Sequence, residues 1–221
     1  MGRTFATERS ALRAITQRGV LLVYPITNRA QPPSLWSVLY PGVPMRWAWD
    51  EGADERVVRL WHLRERLAHA RTVVYAKWYK NRAGFFSREL FTAMLAALMP
   101  LPRGLSSEAR ELLSLLEEDS PQSSKSLRRA AGLTGKHGEA IWTRALRELW
   151  ERLLIVGTGE VDDGAFPSLA IGATRWIFED LWEQAARGLD EQQRALLVQH
   201  LPPESAFGKH WRGVVSAREE V

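Results

Sequence analysis

The stretch from Ser106 to Ile171 constrains the fold of this chain most, because three helical patterns are followed there by two short apolar runs. The first pattern begins at Ser106 or Ser107, since serine favours helix N-caps, and Ser120-Pro121 ends it. Its apolar residues recur at helical spacing, at Ala109, Leu112, Leu113 and Leu116. This pattern predicts an amphipathic helix with one buried side.

Two further helical patterns follow. The second helix is predicted to be short, capped by Ser123 or Ser124 and ended by Gly132, with Leu127, Ala130 and Ala131 facing inward. A turn over residues 134–138 precedes the third helix, which we expect to begin at Glu139. Its inner face is formed by residues spaced four apart, at Ile141, Ala145, Leu149 and Leu153.

The two apolar runs after the third helix predict a pair of strands. Leu153–Val156 is the first strand, Gly157–Gly164 is prone to turns, and Phe166–Ile171 is the return strand. Helix, turn and helix followed by a strand pair is typical of a winged helix-turn-helix. We therefore predict an α+β fold, mostly α-helical, with a winged helix-turn-helix. A second strand pair nearer the N-terminus predicts tandem winged-helix-like halves.

Basic residues are concentrated on the second and third helices. Residues 123–152 contain seven Lys and Arg against three acids, whereas residues 104–122 contain one Arg against five acids. Short polar and basic side chains near the start of such a helix are what a DNA major groove accepts. The residues predicted to contact DNA here are Arg128, Arg129, Lys136, His137, Thr143, Arg144 and Arg147.

The N-terminal half carries a second basic segment. Residues 72–86 are predicted to form a strand, a turn and a returning strand, and residues 71–90 contain five basic residues against one acid. Lys77, Lys80 and Arg82, with Tyr79 among them, can interleave charge with a stacking surface along a nucleic-acid backbone. We therefore add these three basic residues to the predicted DNA contacts.

Composition excludes several classes of site. The chain has no Cys, which excludes disulfides and thiolate metal sites, and its five His show no metal-ligand spacing with acids. No cofactor or metal is predicted. No apolar run approaches the length of a membrane span, and the N-terminus lacks a signal core, so we expect a cytoplasmic protein. The net charge of +4 favours an anionic partner.

The clearest linker runs from Met99 to Gly104. It predicts three parts: residues 1–103 as a divergent N-terminal α+β half, residues 104–173 as the winged-helix domain, and residues 174–221 as C-terminal helices packed on the core. Residues 153–221 contain six basic residues against eleven acids and are not expected to face DNA.

Two sets of residues resemble the winged-helix family that includes the bacterial DNA glycosylases AlkZ and YcaQ. The C-terminal set is Leu127-Arg-Arg-Ala-Ala-Gly-Leu133, Ala145-Leu-Arg-Glu-Leu-Trp150 and Leu153-Leu-Ile-Val-Gly-Thr158; the earlier set is Arg71-Thr-Val-Val-Tyr75, Asn81-Arg82 and Phe86-Ser-Arg-Glu-Leu90. The resemblance covers residues 55–180. It implies tandem winged helices that clasp duplex DNA and, in catalytic members, a Gln-x-Gln pair near the N-terminus.

This sequence departs from the family pattern at the catalytic motif. It contains no Gln-x-Gln, and residues 79–86 lack the family's Arg-Gly-Thr-x-His signature. We therefore predict a winged-helix protein that binds double-stranded DNA, is linked to DNA repair and performs no base excision. The first alternative is an active glycosylase for alkylated or crosslinked bases, with Asp50 as the candidate general base. The second is a protein-interaction module without nucleic-acid binding.

The distribution of charge separates these interpretations. A continuous basic face that joins Arg128, Arg147 and Arg82 favours DNA, and basic residues scattered over opposite faces favour the interaction module. Asp50 lies just before a helix predicted from Asp54, where acids are common as caps, so a structural role is the simpler interpretation of that carboxylate.

Overall fold

One six-stranded antiparallel sheet runs through the molecule. The structure, a computed structural model, describes residues 7–47, 54–99 and 104–219, with side chains described as far as residue 216. The strands are β1 (Val20–Leu22), β2 (Val74–Tyr79), β3 (Arg82–Phe86), β4 (Gln122–Ser123), β5 (Ile155–Val161) and β6 (Ser168–Ala173). Their order across the sheet is β1-β3-β2-β5-β6-β4.

The sheet separates two apolar cores, because successive side chains of a strand point to opposite faces. On β2, Val74, Ala76 and Trp78 enter one core and Tyr75 enters the other. The core around Tyr75 is covered by three helices: α1 (Glu8–Arg18), α2 (Leu35–Leu39) and α3 (Glu55–Ala70).

The remaining helices supply the larger core on the other face. They are α4 (Arg88–Leu98), α5 (Ser107–Glu118), α6 (Ser124–Ala130), α7 (Gly135–Glu151), α8 (Thr174–Ile177), α9 (Glu179–Ala186), α10 (Glu191–His200) and α11 (Ala206–Glu219). Their apolar stripes meet on this face, where burial of Phe91, Leu112 and Leu149 removes apolar surface from water.

The predicted α+β class is confirmed. The order α5-β4-α6-α7-β5-β6, with β6 paired to both β4 and β5, is compatible with a winged helix-turn-helix. Strands from the two predicted halves join where Tyr75 of β2 pairs with Gly157 of β5. A Cβ at Gly157 would lie 2.2 Å from the Tyr75 ring, so this contact requires a glycine. The three-part division of the chain stays a prediction.

Several helices begin at residue types that favour N-caps. The side chains of Thr7, Asp54, Ser87, Ser123 and Asp190 each accept a hydrogen bond from a backbone N–H in the first turn of the helix that follows. Such bonds satisfy backbone donors that have no partner within the helix. The sequence therefore located these helices closely.

The third helix of the predicted winged-helix segment starts earlier than expected, at Gly135 instead of Glu139. Gly138, predicted as part of a turn, lies inside α7 and packs against Leu133 in the connection from α6. A Cβ there would lie 2.3 Å from the carbonyl oxygen of Leu133, so the glycine permits the two segments to approach. The close approach of the backbone to Leu133, and not a turn, therefore explains why a glycine occupies position 138.

Three further expectations differ from the structure. The apolar spacing of residues 174–187 predicts one helix with Trp176 on its apolar side, but this helix is interrupted at Phe178, which is buried with a non-helical backbone. Trp176 is 49% exposed, and Val58, which the same kind of spacing places on the inward side of α3, is 44% exposed. Tyr79, expected as a stacking surface, is buried against Phe207 and His210 of the C-terminal helices, which the sequence could not place beside it.

Candidate nucleic-acid interface

The outer side of α7 carries an exposed row of polar and basic residues. Trp142, Ala145 and Leu149 are buried against the sheet, so the positions between them turn to solvent. The residues Lys136, Thr143, Arg144 and Arg147 line one shallow groove with Glu139. The predicted C-terminal contact residues on α7 are thus brought together, and His137 is exposed in the helix's first turn.

A second shallow groove adjoins the first between α6 and α7. Arg128, Arg129, Lys136 and Glu139 line it, with Lys125 at its edge. Because Lys136 and Glu139 line both grooves, the surface is continuous from α6 along α7. We refer to its exposed members, Arg129, Lys136, Thr143, Arg144 and Arg147, as the α7 basic face.

Charge on this face is largely uncompensated. Among the residues that the structure describes, Arg129, Lys136, Arg144 and Arg147 have no acidic partner within ion-pair distance. Arg128 differs. Its guanidinium donates to the carbonyl oxygen of Leu133 at 2.7 Å and pairs with Glu139 at 2.7 Å. Arg128 therefore holds the α6–α7 connection, which reduces its availability for phosphates.

The loop between β5 and β6 is held against α6. Lys125 Nζ lies 3.1 Å from Asp163 and donates to the carbonyl oxygen of Phe166 at 2.8 Å. Hydrogen bonds from the hydroxyls of Ser123 and Ser168, with the Lys125 ammonium, lower the pKa of Asp163 to about 2. These contacts fix the loop beside the α7 basic face.

The basic residues of the N-terminal half lie elsewhere. Lys77 and Arg82 line a cavity of about 320 Å³ on the α3 side of the sheet, whereas α7 packs on the opposite side. Lys80 is exposed at the β2–β3 turn with its Nζ 5.5 Å from the Tyr79 ring centre. The described residues therefore form no single face that joins Arg82 with Arg128 and Arg147. Their basic residues lie on two sides of the sheet, the distribution expected of an interaction module, and only those of α6 and α7 form a continuous basic surface.

This junction cavity is lined by Tyr24, Arg64, Tyr75, Lys77, Asn81, Arg82, Ala83, Glu160 and Leu169. On its floor, Arg64 donates to the carboxylate of Glu160 and lies 2.9 Å from that of Glu65. The backbone N–H of Glu160 also donates to Glu65 at 2.8 Å. Burial raises the pKa of Tyr75 to about 12, so its hydroxyl stays protonated.

A family model described as AlkZ related matches residues 5–202. The chain belongs to the AlkZ-related family. No curated protein and no solved structure matches it.

Sequence reasoning missed several residues that build the junction cavity of this AlkZ-related chain, among them Tyr24, Arg64, Tyr75 and Glu160. One signal was present on α3. Arg64 is four residues from both Leu60 and Ala68, which are buried, so it is a charge within an apolar stripe. Such a charge needs a partner, but the partner, Glu160, is distant in sequence and could not be named.

The loop proposed for catalysis is described only in part. Trp47 is exposed and its ring lies 4.9 Å from that of Tyr24, edge to face. Asp50 and Trp49 lie outside the described residues. Within the described ranges, no cluster of three potential metal ligands occurs, and no helix has the length and apolar character needed to cross a bilayer.

Proposed function

We propose that this AlkZ-related protein binds double-stranded DNA through the α7 basic face and serves in DNA repair. One observation carries the proposal: four exposed cations, each without an ion-pair partner among the described residues, lie on one surface with Thr143. A surface of this kind attracts a polyanion, because binding neutralises phosphates and releases their counterions.

The position of these residues suits a duplex. B-DNA's major groove admits one α-helix, and arginines on that helix reach base edges or the flanking phosphates. In this arrangement Thr143 and Arg144 lie at the middle of α7 and face the groove. Lys136 lies in the first turn, where the helix dipole also favours a phosphate.

The family supports the link to repair, and the sequence supports binding without base excision. The resemblance to the AlkZ and YcaQ glycosylases implies a Gln-x-Gln pair in catalytic members, and this chain has none. Function is carried by sites and not by folds. We therefore expect no base release from alkylated duplex, measured as strand cleavage at abasic sites after incubation.

The test is duplex binding measured by fluorescence anisotropy with the variant Arg144→Ala/Arg147→Ala. Both side chains are exposed, so folding should be preserved. We expect at least a roughly tenfold weaker affinity, since a single such contact contributes about 1–3 kcal/mol. The matched control is Arg187→Ala/Arg194→Ala, which removes equal charge from the C-terminal helices. Equal affinities for both variants, or no binding by the unaltered protein, would refute the proposal.

A further inference from the structure

The junction cavity has no role in duplex binding by the α7 basic face, since it opens on the other side of the sheet. It lies where α3, the β2–β3 hairpin and β5 meet, and its lining combines three cations with two tyrosines and a carboxylate. Its volume of about 320 Å³ is within the range of small-molecule sites.

The cations of this cavity are not equivalent. Arg64 is neutralised by Glu65 and Glu160, and the backbone contact of Glu160 with Glu65 holds the three groups together. Lys77 and Arg82 have no ion pair or side-chain hydrogen bond with the residues that the structure describes. The cavity is thus lined by the neutralised guanidinium of Arg64, the half-buried amine of Lys77 and the exposed guanidinium of Arg82.

The amine of Lys77 is placed to act as a nucleophile. Tyr75 lies two residues before it on the same strand face, and Tyr24, Arg64, Arg82 and Glu160 line the same cavity from neighbouring segments. Burial, with a contribution from the charge of Arg64, lowers the pKa of Lys77 below its ordinary value. Desolvation and a nearby cation are the two means by which proteins keep a lysine amine neutral and reactive toward carbonyls.

We propose that Lys77 forms a Schiff base, inside the junction cavity, with an aldehyde that carries a phosphate. The lone pair of Nζ forms a bond to the carbonyl carbon, whose oxygen takes up a proton. The resulting carbinolamine loses this hydroxyl with a proton from nitrogen as water, leaving a carbon–nitrogen double bond. Arg82 at the mouth, beside Asn81, binds the phosphate, for which a guanidinium is well shaped.

Two kinds of molecule contain both an aldehyde and a phosphate. One is a free sugar phosphate in its open-chain form. The other is the ring-opened deoxyribose of an abasic site, which lies between two phosphates in a DNA strand. The proposal goes beyond duplex binding by the α7 basic face and does not depend on it, because Lys77 and α7 lie on different faces of the sheet.

The experiment is borohydride trapping with the full-length protein, using ribose 5-phosphate in one arm and a duplex containing one abasic site in the other. Borohydride delivers hydride to the carbon of the double bond and makes the link permanent. Peptide mapping by mass spectrometry then locates the adduct. We expect an adduct on Lys77 in at least one arm, and the arm in which it forms identifies the source.

Matched variants make the result specific. Lys77→Met should abolish the trapped adduct, and Lys80→Met, which removes the exposed lysine of the same hairpin, should retain it. Circular dichroism confirms that both variants are folded. If neither arm labels Lys77, or if Lys80 and the α-amino group are labelled as readily as Lys77, the proposal is overturned.

Phosphate recognition has a separate readout. Arg82→Gln should raise the ribose 5-phosphate concentration needed for half-maximal trapping about tenfold, the size expected for a hydrogen bond to a charged group. Trapping of unphosphorylated erythrose should change little. Arg144→Ala/Arg147→Ala should trap ribose 5-phosphate normally even where duplex binding is lost, which separates this proposal from the one on DNA. If Arg82→Gln reduces the trapping of ribose 5-phosphate and of erythrose equally, Arg82 does not bind the phosphate and that part of the proposal is wrong.

Discussion

The guanidinium of Arg64 on α3 donates a hydrogen bond to the carboxylate of Glu160 on β5, across 96 positions of sequence. The indole N–H of Trp61 lies 3.4 Å from the same carboxylate oxygen. These contacts join a helix of the predicted N-terminal half to a strand of the predicted winged-helix segment, beside the pairing of Tyr75 with Gly157. Polar contacts as well as strand pairing therefore connect the two halves.

Arg64→Met should destabilise the protein by about 3 kcal/mol, because it leaves the carboxylates of Glu65 and Glu160 close together without their cation. Both members of the Arg64–Glu160 pair are mostly buried, with side chains 14% and 21% exposed, so solvent screens them weakly. The free energy of unfolding, obtained from urea denaturation followed by circular dichroism, is the measurement.

Arg59→Met is the control for this change, since it removes the same group from the same helix. Arg59 pairs with Glu55 at 2.7 Å on the exposed side of α3, where solvent weakens ion pairs. We expect stability close to that of the unaltered protein. Similar values for the two variants would show that the Arg64 network contributes nothing beyond a surface pair.

Lys77→Met should change how stability depends on pH. The pKa of Lys77 is lowered in the folded protein, chiefly by burial, so the unfolded chain binds the proton more tightly. Stability of the unaltered protein should therefore rise with pH between the lowered pKa and the ordinary pKa of lysine. The variant should lack this rise and be the more stable protein at neutral pH.

Urea denaturation at several pH values between neutrality and the ordinary pKa of lysine measures this difference. Lys80→Met, at the exposed end of the same hairpin, is the control and should retain the rise. Parallel curves for the unaltered protein and Lys77→Met would contradict a lowered pKa for the buried amine.

Much of the fold could be predicted because its signals are local. The caps at Thr7, Asp54 and Asp190 and the strand pair around Asn81 depend on residues within a few positions of one another. The break at Phe178 could not be predicted, since a periodic apolar pattern continues through it. Only packing of Phe178 against the core ends α8 there.

The candidate site could likewise be predicted only where its signals are local. Periodicity of α7 was enough to predict that Thr143, Arg144 and Arg147 share an exposed face. It could not show that Arg128 bonds back to Leu133 and Glu139, because this depends on the path of the chain between α6 and α7. Nor could it show that Lys77 and Glu160 line one cavity, because this requires the pairing of β2 with β5.

Gly157→Ala should destabilise the sheet where the two halves join. An added Cβ would lie 2.2 Å from a ring carbon of Tyr75, whose side chain is buried at this strand pairing. Forcing a methyl group into a packed site costs about 1–3 kcal/mol. Gly213→Ala in α11 is the control, since its Cβ would meet nothing within 4 Å and alanine favours a helix. A melting temperature for Gly157→Ala at or above that of the control would contradict this account.

Affinity for duplex should fall steeply as salt is raised. Each phosphate neutralised lowers the logarithm of the binding constant by about 0.9 per logarithmic unit of salt. The α7 basic face offers four cations without ion-pair partners among the described residues, so a slope of roughly −3 to −4 is the steepest expected if each meets a phosphate.

Arg144→Ala/Arg147→Ala should reduce the magnitude of that slope by about one unit for each arginine in phosphate contact. If an arginine contacts a base edge instead, its substitution weakens duplex binding with a smaller change in slope. Comparing the two single variants therefore distinguishes phosphate contact from base contact. Anisotropy titrations at several salt concentrations supply the slopes, and Arg187→Ala/Arg194→Ala should match the unaltered protein. A flat dependence would mean that phosphates do not meet this face, and the proposed docking of α7 would be wrong.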